Sequence, residues 1–146
     1  MTAYVVDASV VIKWVVDEPG SEAVIRLIDG PTLSAPDLLM SECANILWKK
    51  VRRGELTRDE ASLAIDLLVR ADIELVPTRA LAAAAVRLSL DLDHPAYDCM
   101  YLALAVDRGD TFVTADRRFV RMIEDRGGPD LQGSAIVLET FDGPGE

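Results

Sequence analysis

The chain has 146 residues, half of them hydrophobic, with 25 acidic against 15 basic side chains and a formal net charge of −10. That length suits one domain with a sizeable core, and no apolar stretch approaches the ~20 residues of a membrane span. Two cysteines and a single histidine leave no material for a disulfide framework or a Cys/His zinc site, and the acidic balance argues against a protein that binds nucleic acid through its overall charge.

In chain order, Ala3 to Val6 reads as a first strand. Ser9 is then expected to cap a helix through Val16, which Asp17-Glu18-Pro19-Gly20 breaks. The apolar run within it carries Lys13 and follows no basic segment, so it does not read as a leader, and the expectation is a cytoplasmic protein. Ser21 opens a second helix toward Ile28, and Asp29-Gly30-Pro31 is a turn. Thr32 to Ala35 is extended, as expected before a proline. Pro36 suits the first turn of a helix that runs to Arg53 and stops at Gly54. Thr57 and Glu60 have capping-box spacing for a helix with Ala61, Ala64, Ile65 and Leu68 on one stripe.

Asp72 to Val76 is the next strand, and Thr78 is expected to cap an Ala-rich helix through Leu90. A loop, Asp91 to Pro95, leads to the helix Ala96 to Arg108, closed by Gly109. Thr111 to Thr114 is a strand, Asp116 to Arg126 a helix, Gly127 to Asp130 a turn, Ala135 to Leu138 a last strand, and Asp142 to Glu146 a frayed tail. Strands alternating with helices predict an α/β protein: a three-layer α/β/α domain, residues 1–146, around a central, mainly parallel sheet of about five strands.

Two aspartates, Asp7 and Asp116, directly follow strands. In a parallel sheet the C-terminal strand ends share one edge, where ligands bind. Taken singly, each is also a natural helix cap. Glu42 and Asp98 are harder to read as bland. Glu42 borders an apolar stripe made by Leu38, Leu39 and Ile46, and Asp98 lies in the most apolar helix of the chain; charged groups are rarely buried unless paired or metal-bound. Four carboxylates converging to ~5 Å separations would repel by about 3 kcal/mol per pair at an effective dielectric near 20. Several such pairs rival a domain's whole stability of ~5–15 kcal/mol. A hard divalent cation relieves that repulsion, and an all-oxygen set favours Mg²⁺ or Mn²⁺ over Zn²⁺. Such ions activate water and stabilise a leaving oxygen, the chemistry of phosphodiester hydrolysis. Positive charge for a phosphate backbone is present locally, in Lys49, Lys50, Arg52 and Arg53 and in Arg117, Arg118 and Arg121; the plain reading of each knot is a solvated helix face.

Four stretches in order carry a family resemblance: Val5-Val6-Asp7-Ala8-Ser9, Ala35-Pro36-Asp37-Leu38-Leu39-Met40-Ser41-Glu42-Cys43-Ala44-Asn45-Ile46-Leu47, Ala96-Tyr97-Asp98-Cys99-Met100-Tyr101-Leu102-Ala103-Leu104-Ala105, and Phe112-Val113-Thr114-Ala115-Asp116-Arg117-Arg118-Phe119. Over nearly its whole length the chain resembles the PIN domain, and most closely the VapC toxins of prokaryotic toxin–antitoxin pairs. The resemblance implies a metal-dependent endoribonuclease in which Asp7, Glu42, Asp98 and Asp116 hold Mg²⁺ or Mn²⁺ and the attacking water. It implies that Ser9, Asn45 and Thr114 assist, and that the protein forms a homodimer inhibited by a small antitoxin. Arg117, Arg118, Lys49 and Arg52 are the candidate phosphate contacts to RNA. His94, before Pro95, reads as a turn residue, Asp91 and Asp93 as solvated loop acids, and Trp14 and Trp48 as core or interface residues. Cys43 and Cys99 read as a reduced, buried pair.

Other classes fit the acids less well. A phosphoryl-aspartate receiver wants a lysine after its last strand, where Leu138-Glu139 stand, and a haloacid-dehalogenase-type phosphatase wants an acid where Ser9 stands. A solitary PIN nuclease in RNA processing, and a non-catalytic module whose acidic pocket docks a basic peptide, remain as alternatives.

Overall fold

The computed structural model describes residues 3–141, so the tail at 142–146 lies outside the described residues. The elements run β1 (Ala3–Val6), α1 (Ala8–Val15), α2 (Ser21–Asp29), β2 (Thr32–Pro36), α3 (Leu38–Arg52), α4 (Arg58–Arg70), β3 (Ile73–Val76), α5 (Thr78–Leu92), α6 (Ala96–Arg108), β4 (Thr111–Thr114), α7 (Arg117–Arg126) and β5 (Ala135–Val137). Short 3₁₀ turns at Pro129–Leu131 and Leu138–Thr140 flank β5.

The five strands form one sheet in the order β3-β2-β1-β4-β5, every pairing parallel. Helices α1 to α4 pack together, as do α5 to α7, giving the expected three layers around the sheet. Strands buried on both faces read as continuous apolar runs, and Val5, Val6, Phe112 and Val113 are accordingly inaccessible or nearly so. An aromatic column ties the sheet to its helices: Tyr101 of α6 stacks on Phe112 at 5.6 Å, and Phe112 meets Phe119 of α7 edge-on at 5.9 Å.

Several boundaries differ from the sequence expectation, each for a local reason. Asp7, not Ser9, caps α1: its carboxylate accepts from Val10 N–H while Ser9 enters the helix. Pro36 ends β2 instead of opening α3, and Asp37 turns the chain, its N–H bonded to Val76 O at 2.8 Å. Thr78 does not cap α5: it is the first helical residue, behind Pro77 with no side-chain cap bond, and its own N–H donates to the Asp37 carboxylate at 3.1 Å. Helix α5 runs two residues beyond Leu90 and ends where Asp93 takes a left-handed φ of 51°, a conformation aspartate tolerates better than most residues. The third and fifth strands are each one residue shorter than expected. The capping box at Thr57 and Glu60 forms as its spacing predicts, with both reciprocal bonds in place.

No helix among the described residues is long and apolar enough to cross a membrane. Both cysteines are free and buried. Trp14 packs against the core, whereas Trp48 is 54% exposed on α3, with the Arg52 guanidinium 5.4 Å from its ring centroid.

Candidate active site

The strand order reverses between β1 and β4, the position where an open parallel sheet presents its binding crevice. Register then sets the first contacts. Val6 pairs with Val113, which brings Asp7 beside the end of β4. Thr114 Oγ1 donates to Asp7 Oδ2 at 2.6 Å, Ser9 Oγ donates to Oδ1 at 2.6 Å, and Val10 N–H reaches Oδ1 at 3.2 Å. The two hydroxyls are themselves oriented from behind. Ala115 N–H donates to Ser9 Oγ, and Asp116 N–H to Thr114 Oγ1, both at 3.1 Å. Each hydroxyl thus accepts a backbone N–H on a lone pair while its single proton goes to Asp7.

Those donors favour the ionised carboxylate, yet the Asp7 carboxyl is pushed up to about 6. Burial is the larger influence, the three donors work against it, and the negative charge of Asp98 adds to the rise. Glu42 is also raised, first by burial and further by Asp98, and held down in part by Tyr101. The Tyr101 hydroxyl donates to Glu42 Oε1 from across the sheet edge. Its own proton is held far above the usual phenol range, by burial first and then by the bond to Glu42, so it acts as a fixed donor.

Asp98, in the first turn of α6, has Oδ2 2.7 Å from His94 Nε2. An ionised carboxylate only accepts, so Nε2 carries the proton. The histidine is therefore more than the turn residue its position beside Pro95 suggested. Its ring lies against Phe119 at 4.9 Å, and its N–H and carbonyl are both bonded to Ser89, the carbonyl through the serine hydroxyl. Asp116 caps α7, Oδ1 accepting from Phe119 N–H at 3.1 Å, and is exposed.

The structure thus couples Asp7, Glu42 and Asp98 electrostatically and ties Asp116 to Asp7 through Thr114. Among the described residues no three His, Cys, Asp or Glu side chains close into one ready-made ligand cage. The donor chemistry nevertheless fits a hard cation. Both thiols at hand are pushed up, Cys43 to about 12 and Cys99 to about 11, by burial and neighbouring carboxylates, and so stay protonated. Apart from His94, whose Nε2 is engaged by Asp98, the ionisable donors left are oxygens, and Mg²⁺ in particular keeps several waters between itself and part of such a set.

The remaining expected residues divide. Asn45 is exposed on α3 and makes no side-chain hydrogen bond among the described residues. Lys49 lines a pocket that also contains Ser9 and Ala115. Arg52 points elsewhere, over Trp48 in the groove between α3 and α4. Arg117 sits 3.5 Å from Glu139, and Arg118 is exposed. Two residues that hold the acids were missed from the sequence. His94 had a usable signal, its i,i+4 spacing to Asp98; Tyr101 had none beyond a polar tip in an apolar helix.

The PIN domain family model matches residues 4–124. The chain is 35% identical over 117 residues to Ribonuclease VapC3 of Pyrobaculum aerophilum, a match covering 78% of this chain and 89% of that protein. Its fold is similar to the crystal structure of PAE2754 from Pyrobaculum aerophilum, with TM-score 0.68 and 22% identity over 95% of this chain and 85% of that one. It is also similar to VapBC2 from Rickettsia felis, bound to a DNA fragment from its promoter, with TM-score 0.66 and 14% identity over 93% of this chain and 98% of that one.

Proposed function

From the premise that the chain belongs to the PIN domain family, we propose that it is a Mg²⁺- or Mn²⁺-dependent endoribonuclease and the toxin of a toxin–antitoxin pair. The observation that carries the proposal is Asp7: a carboxylate at the β1/β4 crevice, aimed by two hydroxyls, pressed toward its neutral form by burial and by Asp98. A cation in the crevice relieves both pressures. The similarity to Ribonuclease VapC3 supports RNA as the substrate.

In this reading Asp7, Glu42, Asp98 and Asp116 hold the ion. Bound Mg²⁺ or Mn²⁺ supplies an activated water and charge stabilisation for the leaving oxygen. The chain's own groups fix the geometry. Ser9 and Thr114 orient Asp7, Tyr101 holds one oxygen of Glu42, and His94 holds one oxygen of Asp98. In the same reading Asn45, one turn from Glu42, meets the strand, and Arg118 and Lys49 meet its phosphates, which position the polymer without reading its sequence. The toxin acts in the cytoplasm as a homodimer, one domain per chain, and a VapB-like antitoxin restrains it; the similarity in fold to VapBC2 is in keeping with such a partner.

The test is cleavage of RNA by purified protein freed of any bound partner, with Mg²⁺ or Mn²⁺ and with EDTA. Metal-dependent endonucleolytic cuts that vanish in a folded Asp7→Asn variant are expected. Absence of cutting with either ion, while the wild type is folded, refutes the assignment.

A further inference from the structure

Beside the carboxylates lies a pocket of about 310 Å³ between α1 and α3. It is continuous with the Asp7 network, because Ser9 and Ala115 belong to both, and Ile46, one turn beyond Glu42, forms part of its wall. Apart from Ile12, its remaining lining is charged: Lys13 from α1, Lys49 and Lys50 from the last turn of α3, Arg53 at its C-cap, and Glu18 from the turn after α1. Four cations thus face one anion on a chain whose formal net charge is −10.

The anion is not idle. Glu18 Oε2 lies 2.7 Å from Lys50 Nζ, and Oε1 lies 3.8 Å from Lys13 Nζ. The two lysine side chains are only 13% and 16% exposed, so their charges sit against the protein wall, where attraction is stronger than in open water. Lys50 also meets Glu55 at 3.5 Å. Lys49 and Arg53 are exposed and have no ion pair among the described residues. The basic knot of α3 is therefore split by the helix: Lys49, Lys50 and Arg53 line this pocket, while Arg52 turns away onto Trp48.

We propose that this pocket is a phosphate subsite for the RNA strand beside the scissile bond, and that Glu18 is an internal stand-in for that phosphate. The carboxylate presents two oxygens to Lys13 and Lys50 as a phosphodiester does. The approaching strand meets Lys49 and Arg53 first and then displaces Glu18. This rests on the nuclease reading above, and it explains how so acidic a chain holds a polyanion: four cations gather on the wall that leads to the acids, where local focusing outweighs net charge.

The test is binding of a single-stranded RNA oligonucleotide in EDTA across a salt titration. Its subjects are the wild type, the K49A/R53A variant, a charge-matched control R79A/R87A on α5, and Glu18→Gln. Losing two phosphate contacts lowers the slope of log K against log salt by about 1.4 in K49A/R53A, at roughly 0.7 per contact for a single strand; the control keeps the wild-type slope. Glu18→Gln binds RNA more tightly than the wild type. An unchanged slope in K49A/R53A, an equal loss in the control, or weaker binding by Glu18→Gln overturns the subsite. A wild type that cleaves RNA with Mn²⁺ while K49A/R53A keeps full slope leaves the nuclease reading standing and removes only the subsite. The slope change without any metal-dependent cleavage keeps the subsite and sinks the nuclease. A wild type that binds no RNA at any salt overturns the subsite outright.

Discussion

Replacing Asp7 by asparagine should stabilise the metal-free protein at neutral pH, although it removes the most tightly held side chain of the site. Asparagine has nearly the same shape, and its carbonyl oxygen still accepts from Ser9 and Val10; only the Thr114 hydroxyl must reverse. What disappears is a charge that the fold disfavours. The Asp7 carboxyl titrates near 6 in the folded chain against an ordinary 3.8. The folded state therefore holds its proton over a range where the unfolded chain has released it. That contribution is fully present below about 3.8 and is lost as pH rises through 6. Two units at 1.36 kcal/mol each make about 3 kcal/mol, which is roughly 6–12 °C in melting temperature for a chain of this size. Thermal or urea unfolding in EDTA between pH 4 and 7.5 checks it: the gap between Asp7→Asn and wild type should widen in the variant's favour by about that amount. Millimolar Mg²⁺ or Mn²⁺ at pH 7.5 should then raise the wild type toward or past the variant and leave the variant unmoved, since only a ligand of the folded state shifts the equilibrium. Parallel pH profiles would refute the claim that burial strains Asp7, and an equal metal response in both would refute its place among the ligands.

Other outcomes follow from the groups behind the acids. His94→Phe keeps a ring against Phe119 but leaves Asp98 Oδ2 without its donor; the half-saturating Mn²⁺ concentration, read by thermal shift, should rise about tenfold, the usual penalty for losing such a support, and His94→Gln should recover part of it. Tyr101→Phe preserves the stacking on Phe112 and removes the donor that lowers the Glu42 carboxyl, so the acidic limb of the cleavage rate against pH should move to higher pH. Thr57→Ala deletes half of the α4 capping box. Unfolding should show a loss of about 1 kcal/mol with metal affinity and cleavage rate untouched.

The fold was legible because its signals are local. Alternating apolar strands and amphipathic helices, with Gly109 and the Thr57 box as punctuation, reproduce the observed element order. The errors fall where a distant partner overrides a local preference. Pro36 is a good first helical residue in isolation, but pairing of β2 with β3 carries the strand through it, and Asp37 is then taken by the backbone of Thr78, 41 residues away. Ser9 is a good cap in isolation, but its hydroxyl is claimed by Asp7 and by Ala115, across the sheet on the β4 side. The acids stood out in the sequence because each sits after a strand or inside an apolar stripe. Ser9 and Thr114, which hold Asp7, were named as well, but Tyr101 was not, because it and Glu42 are 59 residues apart in the chain. The split of the α3 basic knot depends on how that helix is rotated against α1, which charge spacing alone leaves open.

The sequence posed Asp7 and Asp116 as a choice between helix cap and functional acid, and in the structure both act as caps, Asp7 of α1 and Asp116 of α7. A carboxylate has about four acceptor sites. Asp116 spends one, at Oδ1, on Phe119 N–H. Asp98 spends one, at Oδ2, on His94, and Glu42 one, at Oε1, on Tyr101. Asp7 spends three, two at Oδ1 and one at Oδ2. In every case the fold grips at least one oxygen, and in three of the four the second oxygen has no donor among the described residues. In the proposed site a cap would thus also aim a ligand: the N–H that fixes Asp116 at the start of α7 also fixes where its other oxygen stands. Substitutions at Asp116 should separate the two roles. Asp116→Asn keeps an oxygen for Phe119 and loses the negative charge, so its melting temperature in EDTA should match the wild type while its response to Mn²⁺ falls. Asp116→Ala loses both, adding a destabilisation of about 1 kcal/mol. If Asp116→Asn retained the full Mn²⁺ response, Asp116 would be a cap alone and the ion would rest on Asp7, Glu42 and Asp98.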